Sequence, residues 1–275
     1  MSVSVFKTEA AKSLMRTHYN QVLSRFPFGQ KYVDTSYGKT FLLTAGQEDH
    51  PPVILLHGSV SNSAFWFPEI MALSSLYRVY AVDIIGEAGN SSDIRPDLHS
   101  KDFSQWMKEV LQALNITKAA IIGNSLGGWM ALKFATAYPL SVSRLVLIAT
   151  SGIMAVRGQF LKDVKQAQAS SGTAQVKPGL LGSVDIPKEV LDFMNLIVQS
   201  YNPIEELPIF ADEALRRLSM PVLFVAGIED TIIDTPGSAS RLNHLIPAAQ
   251  THLLPGVGHA VFGAIEYILP FLNAK

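Results

Sequence analysis

The sequence contains no cysteine and little charge, and both absences exclude classes of protein. Without cysteine there are no disulfides, no thiolate catalysis and no thiolate metal sites, which also excludes a small disulfide-held secreted scaffold. Only 16% of the residues are charged, the formal net charge is −1, and basic residues are scattered. Such a surface offers no basic patch to nucleic acid or to an anionic membrane, so we expect neither as a partner.

The sequence also lacks a targeting signal and a long apolar run. Its amino end has neither the basic start nor the apolar stretch of a signal peptide. The most apolar-looking stretch, residues 119–138, contains Asn124, Ser125 and Lys133, whereas a membrane span needs about 20 residues nearly free of polar groups. We therefore expect a cytoplasmic protein whose large core draws on the 48% of hydrophobic residues, with its oligomeric state open.

Short apolar runs alternate with helical patterns from Pro52 onward. The runs are Val53–Leu56, Arg78–Val82, Ala119–Ile122, Arg144–Ala149, Val222–Ala226 and Thr251–Leu254. The helical segments lie near residues 63–74, 101–114, 126–138, 237–246 and 261–272. Continuous apolar strands joined by helices are typical of a parallel sheet that is covered on both faces. The pattern therefore predicts an α/β fold with a mostly parallel central sheet.

The rest of the chain divides around this core. Residues 7–25 predict a leading amphipathic helix, and Lys31–Ser36 with Thr40–Ala45 predict a hairpin. We expect residues 1–150 and 219–275 to form the core. The segment between them, residues 151–218, lacks a convincing core strand and has amphipathic pieces at 157–169 and 188–200. A long helical insertion of this kind predicts a cap, or lid, over the site.

The residues Gly123-Asn-Ser125-Leu-Gly127 form a G-x-S-x-G pattern between an apolar strand and a helix. A nucleophile at a tight strand-to-helix turn has strained backbone geometry, and side chains two residues away on either side would collide. Glycines remove those side chains. The turn also brings the hydroxyl to a helix N-terminus, where N–H groups favour developing negative charge. The pattern predicts Ser125 as a nucleophile.

A serine nucleophile needs a base, and position selects one of the seven histidines. His259 follows the last strand in a glycine-rich loop, at the sheet edge where catalytic groups gather in such folds. Of the other histidines, two lie in predicted helices, one in a strand and two in polar connections: His18 and His244, His252, and His50 and His99, respectively. His57 directly follows the first core strand. We predict that His259 is the base.

The base needs an orienting acid, and the chain offers three carboxylates between the serine and the histidine in one loop. Asp230 follows the strand Val222–Ala226, so it is expected at the same sheet edge as Ser125 and His259, and it is the predicted acid. Glu229 and Asp234 compete with it, since the loop conformation decides which carboxylate faces the imidazole.

The oxyanion of an acyl-transfer intermediate needs hydrogen-bond donors. The N–H of Leu126, directly after the nucleophile, is the first predicted donor. The second is expected from the loop that begins His57-Gly58, with the Ser59 N–H preferred and Val60 as the alternative. We expect His57 to hold this loop by hydrogen bonding rather than to transfer protons.

Motifs for cofactor chemistry are missing. No G-x-G-x-x-G opens a helix after a strand, and neither a P-loop nor H-E-x-x-H occurs. We therefore expect catalysis without a metal, nucleotide or other cofactor.

Together these motifs resemble the α/β-hydrolase superfamily over nearly the whole chain. Within it, Pro52–Gly58, Tyr80–Gly86 and Ile122–Gly128 are similar to the carboxylesterases that hydrolyse naproxen esters. The resemblance implies a helical cap at about residues 151–218. It also implies a triad and two backbone oxyanion donors, carried by Ser125, Asp230, His259, Leu126 and Ser59.

One loop departs from the family pattern. Many superfamily members have a compact D-x-x-G-x-G-x-S segment, whereas Asp83–Ser91 has one more residue between Gly86 and Gly89. We expect this loop to shape the sheet edge rather than the chemistry.

The combined expectation is a serine carboxylesterase that cleaves small, apolar ester substrates through an acyl-enzyme. Trp66 and Phe262 are predicted to line the pocket with Phe160, Phe193 or Met194 of the cap. A carbon–carbon bond hydrolase or perhydrolase would use the same triad, and a non-catalytic binding protein would keep only the fold. A serine nucleophile argues against dehalogenase and epoxide-hydrolase chemistry, which on this fold resembles carboxylate-nucleophile catalysis.

Overall fold

A computed structural model gives the architecture of the chain. It describes residues 4–157, 175–176, 182, 186–204 and 206–274. The elements below are numbered along these residues.

In the described residues, eight strands form one twisted sheet in the order β1-β2-β4-β3-β5-β6-β7-β8. The strands are β1 Gly29–Thr35, β2 Gly38–Ala45, β3 Pro52–Leu56, β4 Arg78–Val82, β5 Ala119–Asn124, β6 Val142–Ile148, β7 Val222–Gly227 and β8 Gln250–Leu254. The hairpin β1–β2 and the pair β2–β4 are antiparallel, and every other neighbouring pair is parallel. The predicted hairpin and mostly parallel sheet are confirmed.

Helices cover this sheet on both sides. They are α1 Glu9–Leu23, α2 Phe67–Leu73, α3 Asp102–Ala113, α4 Leu126–Ala137, α5 Lys188–Ser200, α6 Asp212–Leu215, α7 Thr235–Leu245 and α8 Ile265–Asn273, with 3-10 turns at Ser63–Trp66 and Pro139–Ser141. Buried residues of α3, α4 and α7 form one hydrophobic core, and those of α1, α2, α5 and α8 form a second. The prediction of helices on both faces is confirmed.

The strand β3 shows why the core strands are continuously apolar. Ile54 and Leu56 point into the first core, and Val53 and Leu55 point into the second. All four are at most 1% exposed. Since successive side chains alternate between faces, a strand buried on both sides needs apolar residues at every position.

Two predicted helices need comment. The helix predicted at 261–272 is present as α8 but begins later, at Ile265, after a turn in which Gly263 has a φ of 75°. In the insertion, the predicted helix at 188–200 is confirmed as α5, whereas the one predicted at 157–169 lies, apart from Arg157, outside the described residues. None of the described helices is both long and apolar enough to span a bilayer.

Candidate active site

Ser125 lies at a sharp turn between β5 and α4. Its φ of 50° and ψ of −109° are uncommon for a residue with a side chain. The Ser125 N–H donates to the carbonyl of Ile148 in β6 at 2.9 Å. A Cβ atom at Gly123 would lie 2.3 Å from the carbonyl oxygen of Gly127, and one at Gly127 would lie 2.0 Å from that of Leu56. The predicted collisions at both glycine positions are confirmed.

The structure brings His259 between Ser125 and Asp230. The Nε2 atom of His259 lies 3.1 Å from the Ser125 Oγ, and its Nδ1 lies 2.7 Å from the Asp230 Oδ2. Because an ionised carboxylate only accepts hydrogen bonds, Nδ1 carries the proton and Nε2 is free to accept one from the serine hydroxyl. The three side chains follow β5, β7 and β8, so they meet at the carboxyl edge of the sheet.

Asp230 is 2% exposed and receives three hydrogen bonds. Its Oδ1 accepts from the backbone N–H groups of Ile232 at 2.7 Å and Ile233 at 2.9 Å, in addition to the contact of Oδ2 with His259. Burial by itself raises the pKa of Asp230, but the hydrogen bond and charge of His259 and the two backbone donors hold it below its usual value. The carboxylate therefore remains ionised beside the imidazole.

The two competing carboxylates are placed differently. Glu229 is exposed to solvent, and Asp234 accepts from the Gly237 N–H at 3.1 Å, which makes it the N-cap of α7. Asp230 is thus the acid that the structure brings to His259. In the described part of the chain, none of these carboxylates belongs to a group of three or more side chains suited to hold a metal ion.

The loop after β3 has a fixed peptide orientation beside the nucleophile. The Gly58 carbonyl accepts from His57 Nδ1 at 2.8 Å and from Ser61 Oγ at 2.9 Å. Since the described backbone has no cis peptide, the Ser59 N–H of the same peptide unit points away from that carbonyl. A Cβ atom at Gly58 would lie 3.6 Å from the Cβ of Ser125. The loop therefore packs directly against the serine.

His57 uses both ring nitrogens to hold this loop. Its Nδ1 donates to the Gly58 carbonyl, and its Nε2 accepts from the Ile84 N–H at 3.0 Å. Burial lowers the pKa of His57, although the charge of Asp83 and the bond to Gly58 oppose that shift. The ring is neutral with no free nitrogen, so the predicted structural role of His57 is confirmed.

The backbone N–H groups of Ser59 and Leu126, the two predicted oxyanion donors, differ in their hydrogen bonding from that of Val60. Leu126 is the first residue of α4, a position whose N–H has no partner within a helix. In the chain as described, the N–H groups of Ser59 and Leu126 donate to no protein acceptor, whereas the Val60 N–H donates to the hydroxyl of Tyr201 at 3.1 Å. Of the three candidate donors, the Val60 N–H is thus the one already engaged by the protein.

Two residues that the sequence analysis did not single out lie next to this loop. The Tyr201 hydroxyl is 2.7 Å from the Ser59 Oγ and donates to the Glu87 Oε2 at 3.1 Å. Glu87 belongs to the segment 83–91, which we expected to shape the sheet edge rather than the chemistry. Through Tyr201 this segment also contacts residues 57–61, the predicted oxyanion loop. The available signal was an acidic residue flanked by the small residues Gly86, Ala88 and Gly89.

The aromatic residues predicted to line a pocket have different environments. Trp66 and Phe193 are buried in the second core, Met194 is partly buried, and Phe262 is 57% exposed. Phe160 lies outside the described residues. The lining of the pocket stays a prediction.

Comparisons with known proteins agree with this architecture. A family model described as the α/β hydrolase fold matches residues 51–177. An uncharacterized carboxylesterase, nap, of Bacillus subtilis is 31% identical over 94% of this chain and 91% of its own length. The carboxylesterase YbfK of the same organism is 31% identical over 88% of this chain and 86% of its own.

A solved structure leads to the same group. The crystal structure of naproxen esterase (carboxylesterase NP) from Bacillus subtilis superimposes with a TM-score of 0.82 at 27% identity, and the match covers 99% of this chain and 100% of the other. The chain belongs to the α/β-hydrolase family, in the group that contains these Bacillus carboxylesterases.

Proposed function

We propose that this protein is a serine carboxylesterase whose nucleophile is Ser125. The observation that carries the proposal is the position of His259, which is hydrogen-bonded to Asp230 and within reach of the serine hydroxyl. The relationship to proteins named carboxylesterases supports the same chemistry.

In the proposed reaction, the Ser125 Oγ attacks the ester carbonyl carbon while His259 Nε2 takes its proton. The negative oxygen of the tetrahedral intermediate accepts from the N–H groups of Ser59 and Leu126, and the dipole of α4 favours the same charge. His259 then gives the proton to the alcohol oxygen as the carbon–oxygen bond breaks, which leaves an acyl-enzyme. Water, activated by the same imidazole, releases the carboxylic acid.

Asp230 has two tasks in this scheme. Its Oδ2 fixes the tautomer in which Nδ1 carries the proton, so Nε2 faces the serine. Its ionised state also stabilises the imidazolium that forms after proton transfer. The two backbone donors of Ile232 and Ile233 keep the carboxylate in place for both.

We further propose small, apolar esters as substrates, with residues 151–218 as the cap over the site and 1–150 with 219–275 as the core. The similar Bacillus subtilis structure is that of a protein named naproxen esterase, which supports a small-molecule ester as substrate. The net charge of −1 on this chain agrees with an uncharged small-molecule substrate rather than a polyanion.

A fluorophosphonate probe tests the nucleophile, because it reacts covalently with an activated serine. We expect one adduct on the folded protein, located at Ser125 by peptide mapping, and none on a Ser125→Ala variant. The same preparation should hydrolyse p-nitrophenyl acetate and butyrate. A folded protein that is labelled elsewhere, or that binds an ester without turning it over, would contradict the proposal and favour a non-catalytic binding protein.

A further inference from the structure

The hydroxyl of Tyr201 has three polar partners, which use its whole hydrogen-bonding capacity. A phenol has one proton and two lone pairs. Tyr201 donates its proton to Glu87 Oε2 and accepts from the Val60 N–H, so its remaining lone pair accepts from the Ser59 hydroxyl. Burial, followed by the charge of Glu87, raises the pKa of Tyr201, which keeps the phenol protonated. One hydroxyl thus binds two consecutive residues of the oxyanion loop.

The position of Tyr201 is fixed by the chain on both sides of it. The side chain is fully buried, and the residue pairs with Phe6 in an antiparallel bridge. Its N–H donates to the Ile197 carbonyl at the end of α5, and the Asn202 N–H donates to the Val5 carbonyl at 2.9 Å. The segment before α1 and the end of α5 therefore hold this tyrosine, and the oxyanion loop rests on it.

The Glu87 carboxylate, which accepts the hydrogen bond from the Tyr201 hydroxyl, is also fixed by its surroundings. Glu87 is 2% exposed, and its Oε1 lies 3.4 Å from the Arg95 guanidinium. Arg95 also donates to the carbonyls of Gly86 and of Asn202, the residue after Tyr201. The arginine thus joins the two segments that carry the carboxylate and the phenol.

Val60 needs this support because its backbone is strained. Its φ of 57° lies in the left-handed region, where a β-branched residue is a genuine outlier. Such a conformation persists only where surrounding contacts enforce it. The contact seen here is the hydrogen bond from the Val60 N–H to the Tyr201 hydroxyl.

We propose that Tyr201 is a positioning residue for catalysis, whose hydroxyl holds Ser59 and the strained Val60 so that the Ser59 N–H stays beside Ser125. This inference rests on the proposed function, because it assigns Tyr201 a role in stabilising the oxyanion of that reaction. Tyr201 touches no reacting atom, and acts through the loop alone.

Tyr201→Phe tests the inference, since it removes the hydroxyl and keeps the buried ring. We expect kcat for p-nitrophenyl butyrate to fall about tenfold to a hundredfold. This fall does not exceed the decrease in kcat that follows from removing a complete oxyanion donor. KM should change by less than about twofold, because the oxyanion exists only in the transition state and intermediate.

A matched control and a rescue separate positioning from general damage. Tyr77→Phe also removes one tyrosine hydroxyl with a hydrogen bond, the one to Asn273 Oδ1 at 2.7 Å, and should leave kcat within about twofold. Adding Val60→Gly to Tyr201→Phe should recover part of kcat, because glycine adopts a positive φ without strain. If Tyr201→Phe does not fold, Ser59→Ala removes one of the two loop contacts and should lower kcat about threefold to tenfold.

The outcomes distinguish this inference from the proposed function. Wild-type protein that labels at Ser125 and turns over esters, with Tyr201→Phe equal to Tyr77→Phe in kcat, would overturn the inference alone. A fall in kcat that Val60→Gly leaves unchanged would also overturn it, and so would a folded Ser59→Ala enzyme with wild-type kcat. Wild-type protein without label or turnover would overturn the proposed function and this inference together.

Discussion

Two hydrogen-bond chains connect the surroundings of Ser125 to a buried carboxylate, and the pKa values of the two carboxylates are shifted in opposite directions. In the first chain, His259 is hydrogen-bonded to Ser125 and to Asp230. In the second, the Tyr201 hydroxyl is hydrogen-bonded to Ser59 and to Glu87. Both acids are 2% exposed. Burial raises the pKa of Glu87 to about 7 despite Arg95 and Tyr201, whereas the pKa of Asp230 stays below its usual value.

The pKa difference comes partly from deeper desolvation of Glu87 and partly from the donors that each carboxylate receives. Asp230 has two backbone N–H groups at 2.7 and 2.9 Å besides the imidazole. Glu87 has one phenol at 3.1 Å and a guanidinium at the longer distance of 3.4 Å. Equal solvent exposure therefore does not give equal ionisation, because Glu87 is the more deeply desolvated of the two and only Asp230 receives short hydrogen bonds that offset the desolvation cost.

The largest effect should come from Asp230→Asn. The N–H groups of Ile232 and Ile233 hold the amide oxygen, so the amide NH2 faces His259 Nδ1 and donates to it. The ring proton then lies on Nε2, which no longer serves as the base. We expect kcat to fall about 10⁴-fold, equivalent to about 5 kcal/mol, with a folded protein by circular dichroism. A variant with near-normal turnover of p-nitrophenyl butyrate would mean that Asp230 is not the acid.

Glu87→Gln should change how stability depends on pH. The folded-state pKa of about 7 lies above the ordinary value of 4.5 for a glutamate, so the folded protein retains a proton that the unfolded chain has released between these values. The free energy of unfolding contributed by Glu87 therefore falls as pH rises through this window, by about 3 kcal/mol in total.

Relative to wild type, Glu87→Gln should thus gain up to about 3 kcal/mol in stability between pH 5 and pH 8. Urea denaturation of both proteins at the two pH values measures this difference. The same stability difference at pH 5 and pH 8 would show that Glu87 ionises normally, and the contrast with Asp230 would disappear.

The smallest effect should come from Asp234→Ala. Asp234 is the competing carboxylate four residues after Asp230. Asp234 accepts from the Gly237 N–H at the start of α7, and losing a helix cap costs about 1 kcal/mol. Thermal unfolding should record that loss while kcat stays within about twofold of wild type. A large loss of kcat would instead return Asp234 to the list of candidate acids.

The helical and strand elements were largely predictable because their signals are local. Strands such as Val53–Leu56 are buried on both faces and so carry apolar residues at every position. The turn at Ser125 was predictable for a similar reason, since Gly123 and Gly127 occupy positions where a Cβ atom would meet backbone within 2.3 Å. In both cases the constraint lies within a few residues.

The choice among the carboxylates was not predictable in this way. Glu229, Asp230 and Asp234 are close in sequence, and only the folded loop exposes the first, turns the second toward His259 and uses the third as a cap. The pair Tyr201 and Glu87 could not be predicted from the sequence, because 114 residues separate them and neither belongs to a recognised motif.

The strand and helix pattern, the glycines of the nucleophile turn and the residue types available for acyl transfer can be read from the sequence, because each depends on neighbours along the chain. Three outcomes depend instead on the folded sheet: which acid meets the imidazole, in which direction each buried carboxylate's pKa shifts, and which hydroxyl contacts the oxyanion loop. Those outcomes depend on distances and desolvation between segments that only the folded sheet brings together.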